Sequence, residues 1–558
     1  MKNIRFLKQL LNTIQLCIAI FVTVASPRFA QADLAEIPAE TIYAAEIHLS
    51  EFLWIAPLFS TEIMGASLND FQKSEDPLEL FLSNAFDEIF KRSHDGTLSE
   101  LGINPKSTVL SVYGIGIWPV LSLQLEDSSR FQAWLFDHLG RQGLQPKSVS
   151  EGQIYSFRCD PSEEVSCRIA FDHGQNRLKL ALILSDKENV FTPYLLGKES
   201  LSGSLQSSGE LDGLKAKYES DGKSFALFNQ KRLVQTLTGK LIGLNADLLP
   251  LELKRLSSQL PPSCEQEYIQ LIDLIPYTFL GYHQTLTEKR FRFVLPLNGA
   301  LSRLHELSTS EAYSSQQLGE LMHFNMAFNF QGLIQLITDL NQYLTSQPFR
   351  CPHLQRGQLN EVVAHLTGQL SMVPPLFSGI RGFSFALKNI EIPPMQKEST
   401  RESPSIDAAL LISATQAPML LQMLKGFVPQ FAQATFPTVD GPASPIQGLE
   451  LPPTAPPHTM MIKSDGIGLG IGEQSVSTLP SLMTKEPRSA APLFYLSYNF
   501  SRFMAMLMEM VPKEGAQIEE IKAMFSAIEA MEVEKIWTMI KITRNEFTID
   551  SVNINSVK

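Results

Sequence analysis

The sequence predicts an α+β fold in two tandem, internally duplicated domains, each a mostly antiparallel or mixed sheet with helices packed on one face. Three observations predict it. Short apolar strands alternate with amphipathic helical runs, hairpin signals interrupt that alternation, and one order of elements occurs twice.

Four segments share one design: a short apolar strand, a polar capping residue, then an amphipathic helix. Ile42–His48 leads into Glu51–Phe59, and Ser224–Asn229 into Arg232–Leu237. His323–Asn329 leads into Gly332–Leu340, and Leu493–Asn499 into Arg502–Met510. Asn229, Asn329 and Asn499 each follow an aromatic residue at the strand end. An Asn there can accept a hydrogen bond from an orphan N–H of the first helical turn. His48 occupies the fourth equivalent place. Helix capping accounts for these residues without a ligand.

The other elements repeat in order. In the first half the strand Val120–Leu125 runs into the helix Ser129–Leu139. A cysteine hairpin, the strand Leu178–Leu184 and the helix Glu188–Leu196 follow, then the Asn229 unit and the strands Tyr277–Leu286 and Arg290–Leu297. In the second half Ala408–Ser413 runs into Ala417–Phe427. Thr459–Ser464 and Gly466–Gly472 lead into Ser475–Met483, then the Asn499 unit, then Ile536–Thr543 and Glu546–Ile554. Matching pieces are offset by about 260 to 290 residues. The predicted domains are 33–300 and 318–558. The segment 301–317 joins them, its polar stretch Ser308–Gln317 being the joint proper. Glu391–Ser405 reads as a charged loop. The proline-crowded segment 428–457, with Pro452-Pro453 and Pro456-Pro457, reads as an extended excursion.

Ahead of the first domain stands an export signal. Lys2, Arg5 and Lys8 precede an apolar run from Leu10 to Val24. Pro27 then breaks any helix, and Ala30-Gln31-Ala32 supplies small residues for a signal peptidase, with Asp33 the new N-terminus. The apolar run falls short of the roughly 20 residues a spanning helix needs. Residues 1–32 are therefore expected to be removed and the protein to be periplasmic or extracellular. An inner-membrane anchor formed by an uncleaved signal is the alternative. Cys17 lacks the small residue that precedes a lipoprotein cysteine.

Cysteine use agrees with export. Beyond the signal the chain has Cys159, Cys167, Cys264 and Cys351, an even number in an oxidising compartment. Three pairings are open. Cys159–Cys167 with Cys264–Cys351 is favoured, because Cys159 and Cys167 bracket a turn between the strand-like runs Gln153–Arg158 and Arg168–Asp172. Losing the four basic residues of the signal takes the formal net charge from −12 to −16. That balance argues against nucleic acid, which rewards clustered Lys and Arg, and against electrostatic docking on anionic lipid. No later stretch is apolar and long enough for a transmembrane segment.

The search for chemistry returns little. The histidines are scattered without metal-ligand spacing, so no metal is expected. His138 and His365 read as surface or helix-end residues. Gly466-Ile-Gly-Leu-Gly-Ile-Gly472 places glycine at every second residue, which is strand periodicity rather than a phosphate loop. Gly382-Phe-Ser-Phe-Ala386 lies inside an alternating strand rather than on a nucleophile turn. Ser220-Asp-Gly-Lys223 lies in a turn. No catalytic residue and no cofactor are expected. One segment invites a functional reading: Phe503, Met504, Leu507 and Met508 belong to a run apolar nearly all round. Such a run is buried in the fold, or it covers an apolar ligand or partner.

The layout, seen in the segments ending at His48, Asn229, Asn329 and Asn499, resembles bacterial exported proteins of unknown function built from repeated strand–cap–helix units. The resemblance implies a fold class and a periplasmic address, and no activity. The expected function is a non-catalytic envelope scaffold or protein-binding module, its partner an envelope protein. A soluble carrier of an apolar ligand such as lipid is the alternative, and a secreted hydrolase with a site assembled from distant residues is third.

Overall fold

The computed structural model describes residues 34–48, 77–150, 153–158, 165–184, 187–196, 203–238, 248–249, 254–255, 258, 260–308, 313, 321–346, 349–351, 363, 365–366, 368–369, 379–391, 405–427, 429–448, 455–483, 492–510 and 533–555. The signal segment with Ala30, Ala32 and Asp33, the expected helix Glu51–Phe59, Cys159, most of the loop Glu391–Ser405 and the acidic pair Glu519-Glu520 lie outside the described residues.

The described chain divides into two compact units. Unit 1 takes residues 34–272 and 276–284; unit 2 takes 273–275, 285–510 and 533–555. Unit 1 holds β1 (Tyr43–His48), α1 (Pro77–His94), β2 (Val109–Ile115), β3 (Trp118–Gln124), α2 (Ser128–Arg141), β4 (Lys147–Ser150), β5 (Ile154–Arg158), β6 (Val165–Asp172) and β7 (Arg177–Leu184). It continues with α3 (Glu188–Leu195), α4 (Glu210–Lys217), β8 (Phe225–Phe228), α5 (Gln230–Leu237), α6 (Pro262–Ile272) and β9 (Thr278–Gln284). Unit 2 holds β10 (Glu288–Pro296), a 3-10 helix (Gly299–Leu307), β11 (Met322–Ala327), α7 (Phe330–Ser346), β12 (Ile380–Glu391), β13 (Ser405–Ala414) and α8 (Ala417–Phe427). It ends with β14 (His458–Lys463), β15 (Gly466–Ile471), α9 (Glu473–Leu482), β16 (Phe494–Asn499), α10 (Phe500–Met510), β17 (Val533–Ile542) and β18 (Glu546–Asn555).

The strands of unit 1 lie side by side in the order β9-β8-β1-β2-β3-β7-β6-β5-β4, every neighbouring pair antiparallel. Those of unit 2 lie in the order β10-β18-β17-β16-β11-β12-β13-β15-β14, again antiparallel throughout. The mixed sheet allowed by the sequence is thus resolved to the antiparallel form, which short hairpin connections such as β2–β3 and β6–β7 require.

The expected single helical layer is corrected to helices on both faces of each sheet. In unit 1, α1 and α2 cover one face: Phe81, Phe131, Leu135 and Leu139 pack on Ile169, Phe171 and Leu178. Lys179, whose neighbours in sequence face that core, points the other way and donates to the carbonyl of Leu195 at the end of α3. In unit 2, α8 packs Leu420 and Leu421 against Met460, Ile462 and Ile467. On the opposite face α9 packs Leu479 and Met483 against Ala409 and Leu411. Strand alternation reads as one buried and one solvated face whenever the second face carries polar or tiny residues. Here that second face is covered too.

The glycine ladder of β15 shows the consequence. A Cβ on Gly468 would lie 2.8 Å from Leu479 Cδ1 and from Met483 Sδ. A Cβ on Gly470 would lie 2.9 Å from the carbonyl oxygen of Ser475. The bare face exists so that α9 can approach the strand.

Residues 429–448 of the expected excursion are built into unit 2. Ala434 and Ile446 are buried with Leu420, and Phe431 and Phe436 pack at the margin of the same cluster. Ser444 exchanges backbone hydrogen bonds of 3.0 and 2.9 Å with Met460 on β14. It thereby occupies an edge that would otherwise offer free N–H and C=O groups. The expected joint 301–317 also begins inside the fold. Leu307 of the 3-10 helix is buried with Leu297 and Ile542, and Leu301 and Leu304 pack against them.

Replacing Gly470 by Val is expected to cost about 1–3 kcal/mol by overpacking α9 against β15. Gly140 in α2, where nothing lies within 4 Å of an added Cβ, is the control: Gly140→Ala leaves stability unchanged or slightly raised. Urea unfolding of the two variants checks the pair, and equal midpoints would refute the close-approach account.

Candidate functional site

The most concentrated chemistry in unit 1 lies on the sheet face turned away from α1 and α2. Period-2 alternation brings one residue in two from each strand onto this face. Glu46 of β1 stands opposite Ser111 of β2. Ser111 stands opposite Ser122 of β3, and Ser122 opposite Lys179 of β7. The next row runs His48, Val109, Gln124, Arg177 and Asp172. Glu46, His48, Ser111, Lys179, Arg177 and, farther along, Arg168 are all buried.

Three charged groups of this seam meet. Glu36 sits in the segment ahead of β1 and reaches Arg177 at 2.8 Å and Lys179 at 2.7 Å. That segment is fastened by backbone bonds from Leu205 N–H to the Ile37 carbonyl and from Ala39 N–H to the Gly203 carbonyl, and Ile37 is buried. Glu36 thus lies over the cations as a counter-ion. Beside it Ser111, Tyr113, Ser122, Gln124 and Arg177 line a cavity with room for about one water. Burial, with help from the Glu36 carboxylate, pushes the Tyr113 phenol well above its ordinary pKa, so it stays protonated.

Next to this group His48 Nε2 lies 2.5 Å from Glu46 Oε1. Among the described residues His48 Nδ1 and Glu46 Oε2 have no hydrogen-bond partner. The backbone N–H of His48 donates to Ser224 Oγ at 3.0 Å. The dyad has acid–base character, but both residues are nearly inaccessible. In unit 2, β11 carries His323 and Asn325, with Ser384 opposite Asn325 and 3.5 Å from His323 Nε2. Tyr495 packs on His323 and stacks on Trp537.

The residues of the strand–cap–helix design behave differently from one another. Asn229 Oδ1 accepts from Arg232 N–H and Asn499 Oδ1 from Arg502 N–H, both at 2.9 Å. Asn329 instead donates from Nδ2 to the Glu306 carbonyl and accepts from Arg381. His48 pairs with Glu46. Cys167, Cys264 and Cys351 are each in a disulfide; β5 and β6, which flank the Cys159–Cys167 loop, form the expected antiparallel hairpin. On α10, Met504 is buried and Phe503 is half-buried against Tyr498; the side chains of Leu507 and Met508 lie outside the described residues.

His138 lies in the last turn of α2, as a helix-end residue, but not at the surface. It is buried between α2 and α1, with Nε2 3.1 Å from Glu88 and its ring against Trp134. His365 is exposed. The sequence offered no sign of Glu36, Glu46, Arg177 or Lys179, because a charge alternating with apolar residues reads as the solvated face of a strand. Among the described residues no cluster of His, Cys, Asp and Glu is arranged to hold a metal ion. No helix of the described residues is long and apolar enough to cross a membrane.

Comparison with protein-family models, with curated proteins and with solved structures returns no match to this chain.

Glu36→Gln is expected to cost about 3–5 kcal/mol, because it leaves Arg177 and Lys179 buried without a counter-charge. Chemical denaturation measures this, and a loss below about 1 kcal/mol, the worth of a surface pair, would refute it. His138 carries a second expectation. Burial lowers its pKa, with Glu88 acting in the opposite direction. The unfolded chain then binds the proton more readily than the folded one, so stability is full above the ordinary imidazole value and falls as pH drops below about 6.5. His138→Phe should flatten that decline in thermal midpoints measured from pH 7.5 to 5.5. An unchanged slope would remove His138 as its source.

Proposed function

We propose that this chain is an exported, non-catalytic protein of the cell envelope that acts as a protein-binding scaffold. The observation that carries the reading is the filling, among the described residues, of two sheet faces on which a ligand or a reaction would need room. The bare glycine face of β15 is occupied by Leu479 and Met483. The polar cavity of unit 1 has room for about one water. The Glu46–His48 dyad is sealed from solvent. A lipid carrier needs a continuous apolar cavity, and the Gly466–Gly472 ladder, half of its motivation, serves internal packing. Phe503 and Met504 of α10 remain its support.

Export is supported from two sides. Cys167, Cys264 and Cys351 are disulfide-bonded, a state that persists in oxidising compartments. Glu36 and Ile37, just beyond the expected cleavage site, are held in the fold, so cleavage after Ala32 would leave their contacts in place. In this reading Cys159 pairs with Cys167 across the β5–β6 hairpin.

The scaffold is built from two copies of one module. The orders β9-β8-β1-β2-β3-β7-β6 in unit 1 and β17-β16-β11-β12-β13-β15-β14 in unit 2 correspond strand for strand. Helices follow at matching points, α2 and α8 on one face, α3 and α9 on the other, and α5 and α10 after the strands that end in Asn229 and Asn499. At one further position β5 and Ser444 pair with β6 and β14 respectively, the strands that correspond.

Native mass spectrometry of protein recovered from the periplasm of an expressing bacterium, without detergent, tests the reading. The expected mass is that of residues 33–558 with all four cysteines oxidised and nothing bound. A lipid-sized adduct lost on gentle activation would replace the scaffold by the carrier. A retained signal segment or free thiols would remove the export reading.

A further inference from the structure

Inside unit 2, β10 and β18 pair antiparallel from Glu288 opposite Ile554 to Pro296 opposite Glu546. If the chain is duplicated, these two strands are equivalent: β9 and β10 close the first repeat as β17 and β18 close the second. The equivalence can be made exact from their turns. Thr285 N–H donates to the Glu288 carbonyl at 2.8 Å, and Thr285 Oγ1 accepts from Thr287 and Glu288 N–H. Thr543 N–H donates to the Glu546 carbonyl at 2.8 Å, and Thr543 Oγ1 accepts from Asn545 and Glu546 N–H. The same Thr-x-x-Glu turn therefore occurs twice at one offset, and Val294 and Val552, both fully buried, keep that offset.

The offset places Arg292 in the same position as Asp550, and these residues, 258 apart in sequence, face each other across the ladder. The pairing is symmetric about them. Leu297 N–H donates to the Asn545 carbonyl at 2.7 Å, and at the other end Asn555, the equivalent of Leu297, donates to the carbonyl of Thr287, the equivalent of Asn545, at 2.9 Å. A strand that pairs with its own equivalent around a central residue makes an isologous contact, the geometry of a two-fold dimer. At the centre of such a contact a residue meets itself. Here Arg292 Nε and a terminal nitrogen instead reach the two carboxylate oxygens of Asp550 at 2.7 and 3.1 Å, with Asp550 buried.

We infer that Arg292 and Asp550 form a specificity pair on a local dyad of the duplication: they favour β10 pairing with β18 and oppose β10–β10 and β18–β18 pairing between two copies of the chain. Like charges directly opposite on a ladder destabilise it, and a bidentate Arg–Asp pair fixes both partner and register. The partner this surface would otherwise accept is a second copy of the same protein. The inference rests on the duplication proposed above.

Three variants of the full mature chain test it. Arg292→Asp sets two acids face to face and should lower the thermal midpoint by about 10 °C. The exchange Arg292→Asp with Asp550→Arg should recover most of that loss. The neutral pair Arg292→Gln with Asp550→Asn keeps the hydrogen-bonding shape and loses the charge rule. Refolded from urea over a range of concentrations and read by size-exclusion chromatography with light scattering, it should give a several-fold larger dimer fraction than wild type, while the exchanged pair matches wild type. An exchange that recovers nothing would overturn the pair itself. A working exchange, with a neutral pair that dimerises no more than wild type, would overturn the self-pairing that the duplication supplies.

Discussion

A sheet covered on both faces leaves a polar side chain no route to water, and this constraint shapes both units. Along a strand covered on both faces, such as β7, successive residues point into one packed layer and then the other. A charge in either layer must find its counter-charge inside the protein or cost several kcal/mol. Unit 1 meets the constraint with ions: Arg177 and Lys179 are neutralised by Glu36 from a segment that precedes the first strand. In unit 2, β15 meets it with the absence of side chains. Gly466, Gly468 and Gly470 let Tyr313 and α9 come down onto the sheet.

The same constraint explains what could be read from the sequence. The strand and helix order was legible because its signals are local. Ala417–Phe427 coincides with α8, and the expected strand Glu546–Ile554 lies within one residue of β18. The hairpin between Gln153–Arg158 and Arg168–Asp172 is present as β5 and β6. Which face is buried was not legible. In Leu178-Lys179-Leu180 the alternation is that of a half-solvated strand, and only the arrival of Glu36 from more than a hundred residues upstream reveals Lys179 as interior. The burial of His138 was hidden for the same reason, since its partner Glu88 lies on another helix. The helix α1 went unread because its apolar face is broken by Asp87, Glu88, Lys91 and Arg92, which satisfy one another along the surface of the helix or just beyond it.

The capping positions show how far one motif can diverge while its backbone holds. Asn229 and Asn499 serve their helices directly. Asn329 uses both ends of its amide elsewhere: it reaches the Glu306 carbonyl, and a Cβ on Gly332 would crowd its nitrogen at 3.1 Å. His48, which the sequence placed as a fourth such residue, turns back along its own strand to the carboxylate of Glu46, and the ladder register sets it level with Ala327 rather than Asn329. Asn229 and Asn499 thus share one capping contact, and Asn329 makes others.

That freedom bears on function. Under the duplication proposed above, a function resident in a shared polar constellation would hold equivalent positions of the two units to one chemistry. Glu46 and Asn325 occupy matching positions, each opposite a buried serine, Ser111 or Ser384. One is an acid paired to a histidine; the other is a neutral amide beside an aromatic shelf. Under the proposed duplication Arg292 and Asp550 also stand at one position, with opposite charge. What the proposed copies share is the serine opposite, the strand order and the turn geometry, all of which serve the backbone. That agrees with the scaffold proposed above, because a scaffold is used through its surface and its rigidity.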